Sequence, residues 1–237
     1  MVQVMVSPEW FLTKDILICV FSMITLLLIA LFSLNFYFFR MQENKNYLYF
    51  ASSFILLALS FLCKILTNAT IFYNAIETKK LGFITITHQT VKSSKFLFLA
   101  GHFMHYFLLL IGLYILYITL NKKSTMNHLL ILYFLLITTI FSNLAYFVFN
   151  LTAFILLCFI LYQYYIICRE NKNKITKLLF TSFSIIAISQ AIFMFTKYHT
   201  NVYVAAQLVQ LVGFLILLTA FILVLKHGKT KQNRHNK

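Results

Sequence analysis

Seven side chains in this 237-residue sequence combine strong polarity with a place inside long apolar runs: Lys64, Asn68, His102, His105, Gln190, Gln207 and Gln210. Charged or strongly polar groups are costly in hydrocarbon, so they are the first candidates for ligand binding in such runs. At 100° per residue, Gly101, His105 and Gly112 fall on one stripe of a helix, with His102 beside it. Lys64 and Asn68 stand one turn apart. With Lys197 and His199 nearby, these groups would form an outward-facing electropositive pocket suited to a small anionic or carboxylate ligand. A plainer reading stands beside this one. Small residues let helices approach, and His or Gln then hydrogen-bonds across the interface for about 1 kcal/mol or less, while Lys64 snorkels to the membrane surface.

Other chemistry is poorly served. His102 and His105, at i and i+3, can share a ligand face, but no Cys, Asp or Glu completes a zinc set within the apolar runs. No facing helix offers a second histidine for a haem, so neither a metal nor a cofactor is expected. The acids are Glu9, Asp15, Glu43, Glu77 and Glu170. All read as lying in loops or at helix ends, leaving no carboxylate to relay protons or act as acid or base in the membrane core. HExxH and GxSxG patterns are absent, and Asn201–Val224 holds no lysine for a retinal Schiff base. An enzyme is therefore disfavoured, and no catalytic residue is assigned. Cys19, Cys63, Cys158 and Cys168 read as small core residues. The sequon asparagines Asn68 and Asn150 sit too near the bilayer to be good glycosylation acceptors.

The elements that must carry these groups follow from composition. Hydrophobic residues make up 61% of the chain and charged residues 11%, with a mean hydropathy of +0.86. A soluble domain carries about 25% charged residues, and a folded monomer of this size needs far more polar cover. The apolar surface must face lipid. The expectation is an all-α, multi-pass protein of the cell membrane, one polytopic bundle with the lipid bilayer as its main partner. A net charge of +15 then reflects basic membrane-flanking loops rather than nucleic-acid binding.

A spanning helix needs about 20 apolar residues. Seven segments qualify: Ile16–Phe39, Tyr47–Tyr73, Phe96–Leu120, His128–Tyr146, Phe147–Cys168, Lys177–Tyr198 and Asn201–Lys226. His128–Cys168 as one straight helix would run about 60 Å, so a turn is expected between Asn143 and Asn150. The first run, from Ile16, reads as a retained helix rather than a signal peptide. Alternate loops hold 13 and six Lys or Arg. That bias places the N-terminus outside and the C-terminus in the cytoplasm. Residues 1–15 read as a short outer N-terminal helix, with Ser7 as cap, Pro8 at N1 and Trp10 at the interface. Residues 16–226 form the bundle, and 227–237 a basic cytoplasmic tail. Ile84-Thr85-Ile86-Thr87 alternates like a short strand, so the loop Ala75–Lys95 reads as a small hairpin or as an irregular connector.

The chain also repeats. Glu43-Asn44-Lys45-Asn46 recurs as Glu170-Asn171-Lys172-Asn173, and Ser52–Ser60 aligns with Thr181–Ser189. Helices 1–3 thus resemble helices 5–7 in a 3+1+3 arrangement of parallel repeats. Gln207 and Gln210 then correspond to His102 and His105.

That layout resembles the SWEET and PQ-loop transporters, though the chain has no Pro-Gln dipeptide and its one proline is Pro8. Ala205-Ala206-Gln207-Leu208-Val209-Gln210-Leu211-Val212-Gly213-Phe214, followed by Leu225-Lys226-His227-Gly228-Lys229, is more similar to uncharacterised archaeal multi-pass proteins and to the seven-helix input domains of sensor kinases. This resemblance implies a sensor or receptor-like module that signals through a separate cytoplasmic partner. The other reading is a small-solute transporter built from the two repeats.

Overall fold

A computed structural model describes residues 15–40, 46–71, 74–81, 84–91, 95–120, 128–142, 146–170, 173–196 and 200–235. The elements in chain order are α1 (Ile16–Arg40), α2 (Asn46–Ile71), β1 (Asn74–Leu81), β2 (Ile84–Val91), α3 (Lys95–Leu120), α4 (His128–Ser142), α5 (Tyr146–Glu170), α6 (Lys174–Met194) and α7 (Thr200–His235). Of the short N-terminal helix expected over residues 1–15, all but Asp15 lies outside the described residues. So do Lys197 and His199.

Hydrocarbon offers no partners to backbone N–H and C=O groups, so apolar runs of this length satisfy themselves as helices. Among the described residues, six of seven helices are long and apolar enough to cross a membrane. The chain is a multi-pass membrane protein. The fourth helix departs from the expected His128–Tyr146. Its described residues are His128–Ser142, whose 15 residues give about 22 Å, short of a hydrocarbon core of about 30 Å, and Tyr146, expected at its end, opens α5 instead. Of the stretch Asn143–Asn150, where a turn is expected, Tyr146–Asn150 belong to α5 and residues 143–145 lie outside the described residues. The sixth helix is also displaced. It starts at Lys174, because the Asn173 side chain caps it by accepting from the Ile175 N–H, and it closes at Met194. Between α2 and α3, β1 and β2 pair antiparallel from Asn74↔Val91 to Leu81↔Ile84, the hairpin alternative for that loop.

The helices form a ring in chain order. α2 packs on α1 and α3, α6 on α5 and α7, and α7 returns to α1 while α5 meets α3. α4 fills the corner between α3 and α5. The two triplets are therefore assembled alike, and matched positions share their environments. Phe54 and Phe183 are buried, as are Ala58 and Ala187, Ser53 and Ser182, and Ser60 and Ser189. Ser53 donates to the Phe50 carbonyl at 2.7 Å and Ser182 to the Leu179 carbonyl at 2.7 Å.

Close approach within each triplet depends on a glycine. A Cβ on Gly112 of α3 would lie 2.9 Å from Leu57 Cγ and 3.1 Å from the Ser53 carbonyl oxygen of α2. A Cβ on Gly213 of α7 would lie 2.6 Å from Ile186 Cγ1 of α6. Leu57 and Ile186 are matched positions, so these contacts are equivalent. They set the α3–α7 correspondence one helical turn away from the one that pairs His105 with Gln210. A methyl at Gly112 meets backbone, which cannot turn aside. Gly112→Ala is expected to destabilise the bundle by about 2 kcal/mol, read as earlier unfolding in a denaturing-detergent titration. An unchanged midpoint would mean that α2 and α3 slide apart freely.

Candidate functional site

The polar stripe of α2 organises the site. Ser60, Lys64 and Asn68, at i, i+4 and i+8, lie along one face, and each reaches a partner on another helix. Asn68 Nδ2 donates to Asp15 Oδ2 at 2.6 Å. Lys64 Nζ lies 3.7 Å from Asp15 Oδ1 and 5.5 Å from the centroid of the Tyr203 ring. From α7, Gln207 Nε2 donates to Asp15 Oδ1 and to the Tyr203 hydroxyl at 2.9 Å. That hydroxyl in turn donates to Asp15 Oδ1 at 3.3 Å. The Cys19 thiol, one turn along α1, is 3.9 Å from the same oxygen.

Asp15 is thus the centre of the cluster, and its side chain is 0% exposed. Asp15 does lie at a helix end, directly before α1, but it is buried there, which corrects the expectation that no carboxylate stands among the helices. Asp15 immediately precedes α1, and the bundle closes over it from α2 and α7. A buried carboxylate must be matched by donors and counter-charge, and here the two amides, the phenol and the ammonium provide them. The expectation of an unopposed positive pocket changes with it, since Lys64 faces a carboxylate. Part of the cluster carried a sequence signal: Lys64 and Asn68, and Tyr203 and Gln207, are i, i+4 polar pairs, whereas nothing comparable marks Asp15.

The histidines belong to a neighbouring layer. His105 Nδ1 lies 2.9 Å from the Ser60 carbonyl oxygen and 2.8 Å from Ser60 Oγ. A carbonyl only accepts, so Nδ1 carries the proton and donates. Phe61, Tyr106 and Phe149 surround the ring. His102 stacks on Tyr106 with centroids 5.8 Å apart. His102, His105, Gln207 and Gln210, expected in one outward-facing pocket, do not form a single site. Instead α2 stands between, taking His105 onto Ser60, while Gln207 goes to Asp15.

Because His105 keeps a backbone partner, Ser60→Ala is expected to change stability by less than about 0.5 kcal/mol. His105→Leu removes both bonds and should cost about 1 kcal/mol. Equal losses from the two variants in a detergent-unfolding titration would show that the hydroxyl, not the carbonyl, holds the ring.

Gln190 and Gln210 lie apart from both layers. They are the polar members of a narrow gap lined by Phe54, Leu57, Phe61, Leu109, Leu113, Leu157, Phe183, Ile186, Phe214 and Leu217. Gln190 is 3% exposed, and its Oε1 has no hydrogen-bond partner. The gap has room for about one water molecule. Both sequon asparagines, Asn68 and Asn150, are buried and so closed to glycosylation. Among the described residues, no group of three His, Cys, Asp or Glu is placed to hold a metal.

Fold and site together define a multi-pass helical membrane protein with one buried carboxylate–ammonium cluster bridging three helices. No family model, characterised protein or solved structure shows a significant match to the chain.

Proposed function

We propose that the protein is a sensor or receptor-like membrane module. It reads a small ligand at the Asp15–Lys64 layer from outside and passes the signal to a separate cytoplasmic partner. The observation that carries this reading is the placement of Asp15, a single carboxylate that ties α1 to α2 and α7. A ligand competing for any of its bonds shifts three helices at once, and interfaces of packed helices respond as switches rather than springs. One of the three, α7, continues to His235 and so leads from the site into the basic segment. The likeness in layout to seven-helix input domains of sensor kinases belongs to this reading.

Transport fits less well. Away from this layer and from Ser60, buried hydroxyls return to their own helices: Ser22 to the Ile18 carbonyl, Ser33 to Ile29 and Ser189 to Ile186. The space between is filled by Phe54, Phe61, Leu109, Leu110, Leu113, Phe214 and Leu217. The Gln190–Gln210 gap is the observation that keeps a small-solute transporter as the second reading.

The two readings separate in a reconstituted system. Amines, carboxylates and amino acids would be screened by thermal unfolding of the purified protein, and each stabilising compound followed across proteoliposome membranes. Stabilisation without flux is expected. Saturable flux above protein-free vesicles would replace the sensor with a transporter.

A further inference from the structure

We infer that the gap bearing Gln190 and Gln210 is a binding site for one neutral hydroxyl group, carried by water or by a short alcohol. The site stands apart from the Asp15 layer and does not depend on that layer reading a ligand. Its position follows from the repeat. Phe54 and Leu57 of α2 line the gap, and so do their matched residues on α6, Phe183 and Ile186. On α3 and α7 the matched glycines Gly112 and Gly213 are each followed by a lining residue, Leu113 and Phe214. Both triplets contribute the same positions, so the gap lies where they meet. Solute sites in membrane proteins built from repeats lie at such an interface.

The match fails in polarity at two of these positions. Extending the pairing of Ser60 with Ser189 by one residue sets Phe61 against Gln190, and counting back three residues from the glycines sets Leu109 against Gln210. All four line the gap. The first triplet gives it an apolar wall and the second gives it two amides. Packing alone does not call for them, since Phe61 and Leu109 fill the matched places. Both glutamines are buried, at 3% and 8% exposure, and Gln190 Oε1 accepts no hydrogen bond from Gln210 or any other group. A buried acceptor left unpaired is costly.

The lining determines the class of occupant. An amide oxygen only accepts, so the occupant donates. No lining residue is charged, and an ion without counter-charge is disfavoured in such a place, so the donor is neutral. The free space is that of about one water molecule, which admits a hydroxyl and excludes a ring. A second bond comes from Gln210, whose amide both donates and accepts. The last torsion of glutamine is broad, so each amide can turn its polar end to the gap without leaving its rotamer. The occupant then bridges α6 and α7 at the repeat interface.

The test uses the full-length protein in lipid nanodiscs. X-ray radiolysis of an ordered water marks the side chains beside it. Phe54 and Phe183 should therefore be labelled several-fold faster than Phe149, which is similarly buried but does not line the gap. In Gln190→Leu their labelling should fall to the rate of Phe149. Its Tm should stay within about 2 °C of wild type, because an unpaired polar group gives way to an apolar one. Gln210→Met is the second variant and should lower the labelling in the same way. Ethanol and sodium acetate are compared in parallel by thermal unfolding. A saturable rise in Tm with ethanol, lost in Gln190→Leu, would assign the hydroxyl to an alcohol. Labelling without an ethanol response would assign it to water. Labelling no faster than that of Phe149, together with no response to ethanol, would overturn the site. So would labelling that persists in both variants, and stabilisation by acetate that Gln190→Leu abolishes would overturn the neutral class.

Discussion

Asp15→Ala is expected to lower the stability of the bundle by about 3 kcal/mol, among the largest effects of any single substitution. It strips the acceptor from Asn68, Gln207 and Tyr203 and the counter-charge from Lys64 at one stroke. Removing one partner of a buried ion pair costs roughly 3–5 kcal/mol, because the other is left uncompensated. The lower end applies here. Lys64 retains 14% exposure and can carry its ammonium toward the membrane surface. The companion variants follow from the same bookkeeping. Asp15→Asn with Lys64→Met should cost much less than the sum of the single changes, since neither leaves an orphan charge behind. Unfolding midpoints for the four proteins, measured in one detergent system, form the cycle. Additive losses would mean that the two groups do not interact, and an unaffected Asp15→Ala would remove the brace from the account of α1, α2 and α7.

Phe54→Ala should be comparable, at about 3 kcal/mol, for a different reason. Phe54 is 0% exposed, forms a three-ring cluster with Phe50 and Phe221 at centroid distances of 5.0 and 5.9 Å, and lines the internal gap. In a bilayer there is little gain from moving a phenyl ring out of water, since lipid is as apolar as the core. What is lost is dispersion contact around a cavity that rigid helices cannot collapse to fill. Phe159 provides the control. It is 51% exposed on the lipid-facing surface of α5, and Phe159→Ala should change stability by no more than about 0.5 kcal/mol. Similar losses at both positions would show that burial within the bundle is not what stabilises Phe54.

These two residues mark how far the amino-acid order reaches. Phe54 was legible: it sits in the segment that repeats at Phe183, and the repeat reappears as matched burial and matched glycine contacts on α2–α3 and α6–α7. The apolar runs also determined the helices and their membrane setting, because backbone in hydrocarbon has no other way to satisfy its hydrogen bonds. Lys64, Asn68 and Gln207 stood out for a related reason, as polar groups that hydrocarbon penalises wherever they are placed.

Asp15 did not stand out. At the edge of an apolar run a carboxylate can equally face water, and nothing local to α1 separates the two cases. What buries it, besides α2, is the return of α7 to α1, a contact between residues 188 and 192 positions apart. The division of the polar residues has the same origin. His105 and Gln207 sit on faces that helical spacing identifies, but spacing does not say which neighbour each face meets. That was decided by α2, whose Ser60, Lys64 and Asn68 stand between α3 and α7. The ring order of the helices, a tertiary property, turns a set of separately costly polar groups into a histidine layer, a glutamine-lined gap and a carboxylate cluster.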